Sequence, residues 1–258
     1  MRAFDHVRGL AISWADAWPC PKHQTLVVGC ESSGTTIVAQ MLLGGGGGRF
    51  LDESEENWVW DAYMSIYQGK YRVTDYPRLQ LFDYLKVPGF ASILPEYQAA
   101  FPNANSIYVV RDPRDVLASA IRTFKVTSRQ DIENIPWIKE RWLGIETSHP
   151  IERLAHRWSI YLDRSADLKQ VTYVKYEEFC RNKLLTAELL AKQLNLPFKM
   201  DIAKRLADRQ ATHSSTRDYS PAGSGTWRNS PLITDCDIDR MEAICGRQML
   251  EWGYLHAT

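Results

Sequence analysis

The stretch "VVGCESSGTT", residues 27–36, passes from apolar β-formers into a glycine, four further residues, a second glycine and two threonines. From Gly29 to Thr36 it has the spacing of a phosphate loop, G-x-x-x-x-G-[K]-[ST], with Thr35 standing where such loops carry lysine. A strand, a glycine-bearing turn and a helix starting near Gly34 aim free backbone N–H groups and the positive end of a helix dipole at an anion. Thr35 and Thr36 add hydroxyl donors. The missing lysine removes the charge that phosphoryl transfer most needs, so ATP chemistry is disfavoured. Taken alone, the pattern also fits a plain strand-to-helix turn.

A second motif, "YVVRDPRDVLASAIRTF" at 108–124, supports the phosphate reading. Arg111 closes a strand, Asp112 caps a helix and Pro113 suits its first turn, which leaves Ser119 about two turns in, on the strand-proximal side. A planar guanidinium fork and a hydroxyl so placed clamp one isolated phosphate monoester. The bland alternative is a helix-entry arginine and a surface serine.

With both motifs in order, the sequence resembles the sulfotransferases that use 3′-phosphoadenosine 5′-phosphosulfate (PAPS). "SSGTT" (32–36) corresponds to their 5′-phosphosulfate loop and "VVRDPRDVLAS" (109–119) to their 3′-phosphate site. "YEEF" (176–179) and "GSGTWRN" (223–229) match more loosely. The resemblance implies that Ser32, Ser33, Gly34, Thr35 and Thr36 face the 5′ end of the donor and that Arg111 and Ser119 hold its 3′-phosphate. Tyr176 and Arg228 complete the cofactor site by the same resemblance. PAPS is then the co-substrate and 3′-phosphoadenosine 5′-phosphate (PAP) the product, with no metal required.

Sulfuryl transfer needs a base on the acceptor and a cation on the leaving oxygen. The family commonly has Lys or Arg directly before Ser/Thr-Gly-Thr-Thr, and here that residue is Ser32. Lys86 in "YLKVPG" is the replacement that the resemblance implies, because tyrosylprotein-type and many bacterial members carry a lysine in such a turn. Arg49 and Arg228 are the next cations to consider. Glu53 in "LDESEENW" follows the loop at the distance of the catalytic glutamate of the tyrosylprotein-type enzymes. Asp52, Glu55, Glu56 and, more remotely, His213 compete with it as the base.

Working outward, "TLVVGC" (25–30), "SIYVVR" (106–111) and "VTYVKY" (171–176) read as buried strands, with helical patterns at 34–43, 91–101, 113–124, 152–168 and 182–194. Their alternation predicts an α/β domain, a parallel β-sheet flanked by helices, and the resemblance makes it the P-loop NTPase-like sulfotransferase fold. The Gly44–Gly48 run ends the first helix, and the last 26 residues look like a packing helix and tail. At 258 residues a single domain, 1–258, is expected, with lid-like segments at about 125–151 and 212–232.

The formal charge of +0 gives no broad positive field for nucleic acid. Five cysteines without a C-x-x-C pair argue against a disulfide framework or a zinc site. No stretch has the apolar length of a membrane span, so a soluble, cytoplasmic protein is expected. Trp58, Trp60, Trp137, Trp142 and Trp227 could stack on sugar faces or simply fill the core, and a glycan or small-molecule hydroxyl is the first expectation for the acceptor. The oligomeric state is not written in the sequence. The other readings are a catalytically silent PAP/PAPS-binding module, which Ser32 favours, and a kinase-like P-loop enzyme.

Overall fold

The computed structural model of the protein describes residues 24–43, 48–214 and 224–256. Five strands, β1 (Thr25–Gly29), β2 (Phe50–Asp52), β3 (Tyr84–Lys86), β4 (Asn105–Val110) and β5 (Val171–Lys175), form one sheet in the order β2-β3-β1-β4-β5. Every neighbouring pair is parallel. The long strands are apolar throughout because both faces are covered. Leu26, Val28, Tyr108 and Val110 point into the larger core, while Val27, Ile107, Val109 and Val174 point into the smaller one.

The helices are α1 (Thr35–Leu43), α2 (Trp58–Tyr67), α3 (Leu94–Ala100), α4 (Pro113–Thr123) and α5 (Pro136–Lys139), then α6 (Pro150–Ser165), α7 (Tyr176–Arg181), α8 (Lys183–Gln193), α9 (Met200–Ser214) and α10 (Asp235–Glu251). Helices α1, α8 and α9 cover the smaller core, and α2, α3, α4, α6 and α10 cover the larger. After β1 the chain crosses over β3 to reach β2, then returns past β1 to β4, so the carboxyl end of β1 lies at the switch point where parallel sheets bind ligands.

The three expected strands are present, the second ending one residue before Arg111. The helix expected at 91–101 is instead a 3₁₀ turn, Pro88–Ile93, followed by α3. Pro95 explains the break: it has no N–H to donate back to the turn before it and its ring crowds the carbonyl four residues earlier, so it is accommodated only in the first turn of a helix that starts anew at Leu94. The 125–151 segment buries Ile132, Ile135, Trp137, Ile138, Leu143 and Ile145 in the larger core, so opening it as a lid requires breaking that packing. The second lid-like segment lies partly outside the described residues, as do the N-terminal segment and most of the glycine run. Among the described residues, no helix is long and apolar enough to cross a membrane.

Candidate active site

At the end of β1, Gly29 has φ +153, and a Cβ there would meet the Val109 carbonyl oxygen at 2.4 Å, so only glycine lets β1 and β4 approach this closely. The loop then reverses through Ser32, whose φ of 67 is left-handed, and the Ser33 N–H donates to the Cys30 carbonyl at 3.1 Å. The first N–H groups of α1 have no intrahelical acceptor. Ser33 Oγ is fully buried with no hydrogen-bond partner. Thr35 is buried and Thr36 exposed, so the two hydroxyls that the sequence pairs have different surroundings.

Tyr176, at the start of α7, packs its ring on Gly34 so tightly that a Cβ there would lie 2.1 Å from Cε2. The Arg111 guanidinium lies 4.5 Å from the centre of the same ring and donates through Nη1 to the Ser32 carbonyl at 3.0 Å. Both motifs therefore meet at one place. Arg111 is held from behind by Trp158, whose indole N–H donates to the Arg111 carbonyl at 2.9 Å. Ser119 is half-buried on α4.

The turn after Arg111 is braced by the C-terminal part of the chain. Glu177 accepts from the Asp112 N–H at 3.0 Å and from the Tyr254 hydroxyl at 2.9 Å. Arg114 bridges Asp112, Glu242 and the Tyr254 carbonyl. Fully buried Asp115 accepts from the Gly225 N–H at 2.7 Å, the Thr226 hydroxyl at 2.7 Å and the Trp227 N–H at 3.1 Å. This one carboxylate fastens the loop that carries Arg228 to the first turn of α4. Arg228 itself is exposed and lies 4.3 Å over the Trp227 ring.

On the other side of β1, the ends of β2 and β3 bring Lys86 and Glu53 together. Lys86 Nζ lies 2.9 Å from Asp52 Oδ1 and 3.8 Å from Glu53 Oε1, with all three side chains largely buried. Burial pushes the Glu53 carboxyl up to about 8; Lys86 and the Gly89 N–H oppose the rise, while the negative charges of Glu31 and Asp52 add to it. Asp52 goes the other way. Burial raises it, but hydrogen bonds from Ser54 and Lys86 outweigh that and hold it below the usual carboxylate range. Glu53 Oε2 is buried without a partner. Of the competing carboxylates, Asp52 is committed to Lys86 and Ser54, and Glu56 accepts from the Trp58 indole at 2.7 Å. The side chains of Glu55 and His213 lie outside the described residues. Arg49 pairs with Asp83 at 3.4 Å.

Two buried groups escape the sequence reading. Glu31, inside the loop, accepts from Arg157 Nη1 of α6 at 2.9 Å and from the Tyr161 hydroxyl at 3.3 Å. Trp137 and Trp142 stand against the Arg157 guanidinium at 5.9 and 5.5 Å. A charge directly after a buried strand was the available signal for Glu31, whereas nothing in the pattern of α6 marks Arg157. Among the described residues, no group of His, Cys, Asp and Glu side chains is arranged to hold a metal ion.

A model of the "Sulfotransferase family" matches residues 48–200. No curated protein matches the chain significantly in sequence. Among solved structures, a sulfotransferase from Mycobacterium avium superposes with a TM-score of 0.55 at 12% identity, over 95% of this chain and 80% of its own. The sulfotransferase domain of the Synechococcus PCC 7002 olefin synthase gives 0.55 at 16%, over 93% and 98%. A mouse sulfotransferase complexed with PAP gives 0.53 at 12%, over 91% and 87%. At these identities the superpositions establish the fold, and the family match spans more than half of the residues: the chain belongs to the sulfotransferase family.

Proposed function

We propose that the protein transfers a sulfuryl group from PAPS to an acceptor hydroxyl, with a carbohydrate or glycoconjugate as the first class to test. The observation that carries this reading is the junction of Gly34, Tyr176 and Arg111: a helix-start anion cradle and a buried arginine fork meet on one tyrosine ring. The unpartnered Ser33 hydroxyl, buried in the cradle, suits a bound phosphosulfate oxygen. The donor supplies an SO₃ group on a phosphate leaving group.

In this reading Ser32 to Thr36 bind the 5′ end through backbone N–H groups and hydroxyls, and Arg111 and Ser119 bind the 3′-phosphate. Arg228 joins from the loop that Asp115 holds. Lys86 brings to the leaving oxygen the positive charge that Ser32 lacks, and Glu53 takes the acceptor proton. The kinase-like alternative is set aside by family membership. A silent binding module is separated by turnover.

The test has two steps. Calorimetry with PAP and 5′-AMP tests the 3′-phosphate site, and equal affinities would sink it. Transfer of ³⁵S from labelled PAPS across sugars, phenols and tyrosine peptides then identifies the acceptor; binding of PAP without transfer to any acceptor would leave only the silent module.

A further inference from the structure

Three buried polar atoms on the acceptor side of the loop have no hydrogen-bond partner: Glu53 Oε2, Tyr63 Oη and Arg157 Nη2. The roles assigned above give Tyr63 nothing to do. It is fully buried on α2, with its ring 5.3 Å from Trp142 and edge-on to Phe90 at 6.1 Å. The carbon that bears its hydroxyl lies against Gly89, where a Cβ would be 2.5 Å away. The N–H of that same glycine serves Glu53. Tyr63 and Glu53 are therefore joined at one residue, and Trp142 links Tyr63 to Arg157. A phenol O–H left unpaired in a packed core is costly, and here the ring that bears it packs on the glycine whose N–H serves the half-unpaired Glu53 carboxylate.

We propose that Tyr63 is a catalytic residue that donates its O–H to the attacking oxygen of the acceptor while Glu53 Oε2 takes that oxygen's proton, so that the site accepts hydroxyls in preference to amines. This rests on the sulfotransferase reading above. A hydroxyl oxygen has one hydrogen and two lone pairs. The hydrogen goes to Glu53, one lone pair accepts from Tyr63 and the other attacks sulfur. The acceptor O–S bond forms as the bond from sulfur to the 5′-phosphate oxygen breaks, with its electron pair leaving on PAP. The acceptor proton ends on Glu53, and Tyr63 neither gains nor loses one. A neutral amine needs its only lone pair for the attack, so the Tyr63 O–H stays unpaired. What the contact supplies is orientation of the attacking lone pair.

The test is Tyr63→Phe, which keeps the ring against Gly89, Phe90 and Trp142. The melting temperature of the unliganded variant should equal or exceed that of the wild type, because the hydroxyl removed has no partner in the fold. PAP affinity should be unchanged by calorimetry. With the hydroxyl acceptor found in the ³⁵S screen, kcat should fall about tenfold to a hundredfold, while transfer to the amino analogue of the same skeleton should not fall, so the oxygen-to-nitrogen ratio shrinks. A wild-type kcat with the hydroxyl acceptor, or a lowered melting temperature, would overturn the assignment, as would a wild-type protein that prefers the amine. Failure of the wild type to bind PAP is a different result, which removes the sulfotransferase reading and this inference with it.

Discussion

The two sides of β1 differ in how far the chain itself braces their polar groups. On the side of Arg111, polar groups are braced by the chain itself: Glu177, Arg114 and Asp115 use their charges on backbone and side chains of the C-terminal segment. On the side of Glu53, one oxygen of the carboxylate, the Tyr63 hydroxyl and one amino group of Arg157 are buried with nothing to bond. The Arg111 side still leaves the Trp227 indole N–H buried without a partner, and the Glu53 side holds the ion pairs of Lys86 and Arg157, so the difference is one of degree: bracing dominates beside Arg111 and unpartnered polar atoms collect beside Glu53. In the transfer proposed above, a donor needing fixed geometry would use the first side and an acceptor needing chemical activation the second.

The largest expected effect falls on the acceptor side. Lys86→Ala should lower kcat by roughly two to three orders of magnitude, as loss of a preorganised donor to a leaving group does, while PAP affinity changes little. The change also leaves Asp52 and Glu53 facing each other without a cation. Arginine installed at Ser32 in the Lys86→Ala background should restore part of the rate; single-turnover kinetics decides both points.

Glu53 gives the next effect, read against pH. Its carboxyl, raised to about 8 by burial, must be ionised to act as a base, so kcat in the wild type should climb as pH rises through that region and Glu53→Gln should be slow and flat. Stability moves oppositely. A folded-state value above the unfolded one means that the contribution is complete below about 4.3 and is lost as pH rises through about 8, so thermal melts should show Glu53→Gln gaining on the wild type at alkaline pH.

A third effect belongs to the braced side. Arg111→Ala removes a charge-assisted contact of about 1.5–3 kcal/mol, and the preference for PAP over 5′-AMP should drop about tenfold or more by calorimetry. Asp115→Asn should be milder, weakening PAP a few-fold through a looser Arg228 loop. The smallest effect should be that of EDTA: transfer should continue, and activity lost on chelation and restored by magnesium would break the assignment of charge stabilisation to Lys86.

How much of this the sequence displays follows from how local each feature is. The loop at 27–36 and the motif at 108–124 are legible because consecutive residues make the cradle and the helix entry. Lys86 and Glu53 stand out through short motifs, and the fold brings them within 3.8 Å. Strands β2 and β3 are too short, at three residues each, to show a period of two. Tyr63 and Arg157 occupy ordinary positions in amphipathic helices, and their meaning arises only when Gly89 and Trp142 bring them together. The Asp115 clasp joins positions 110 to 112 residues apart, beyond any local pattern.

That clasp also bears on how the protein can be handled. Asp115, Glu177 and Arg114 tie residues 225–227, 242 and 254 to the turn beside Arg111, so this C-terminal segment acts as the keystone of the Arg111 side. Deleting the chain from residue 225 onward should abolish PAP binding even though most of the motif residues remain.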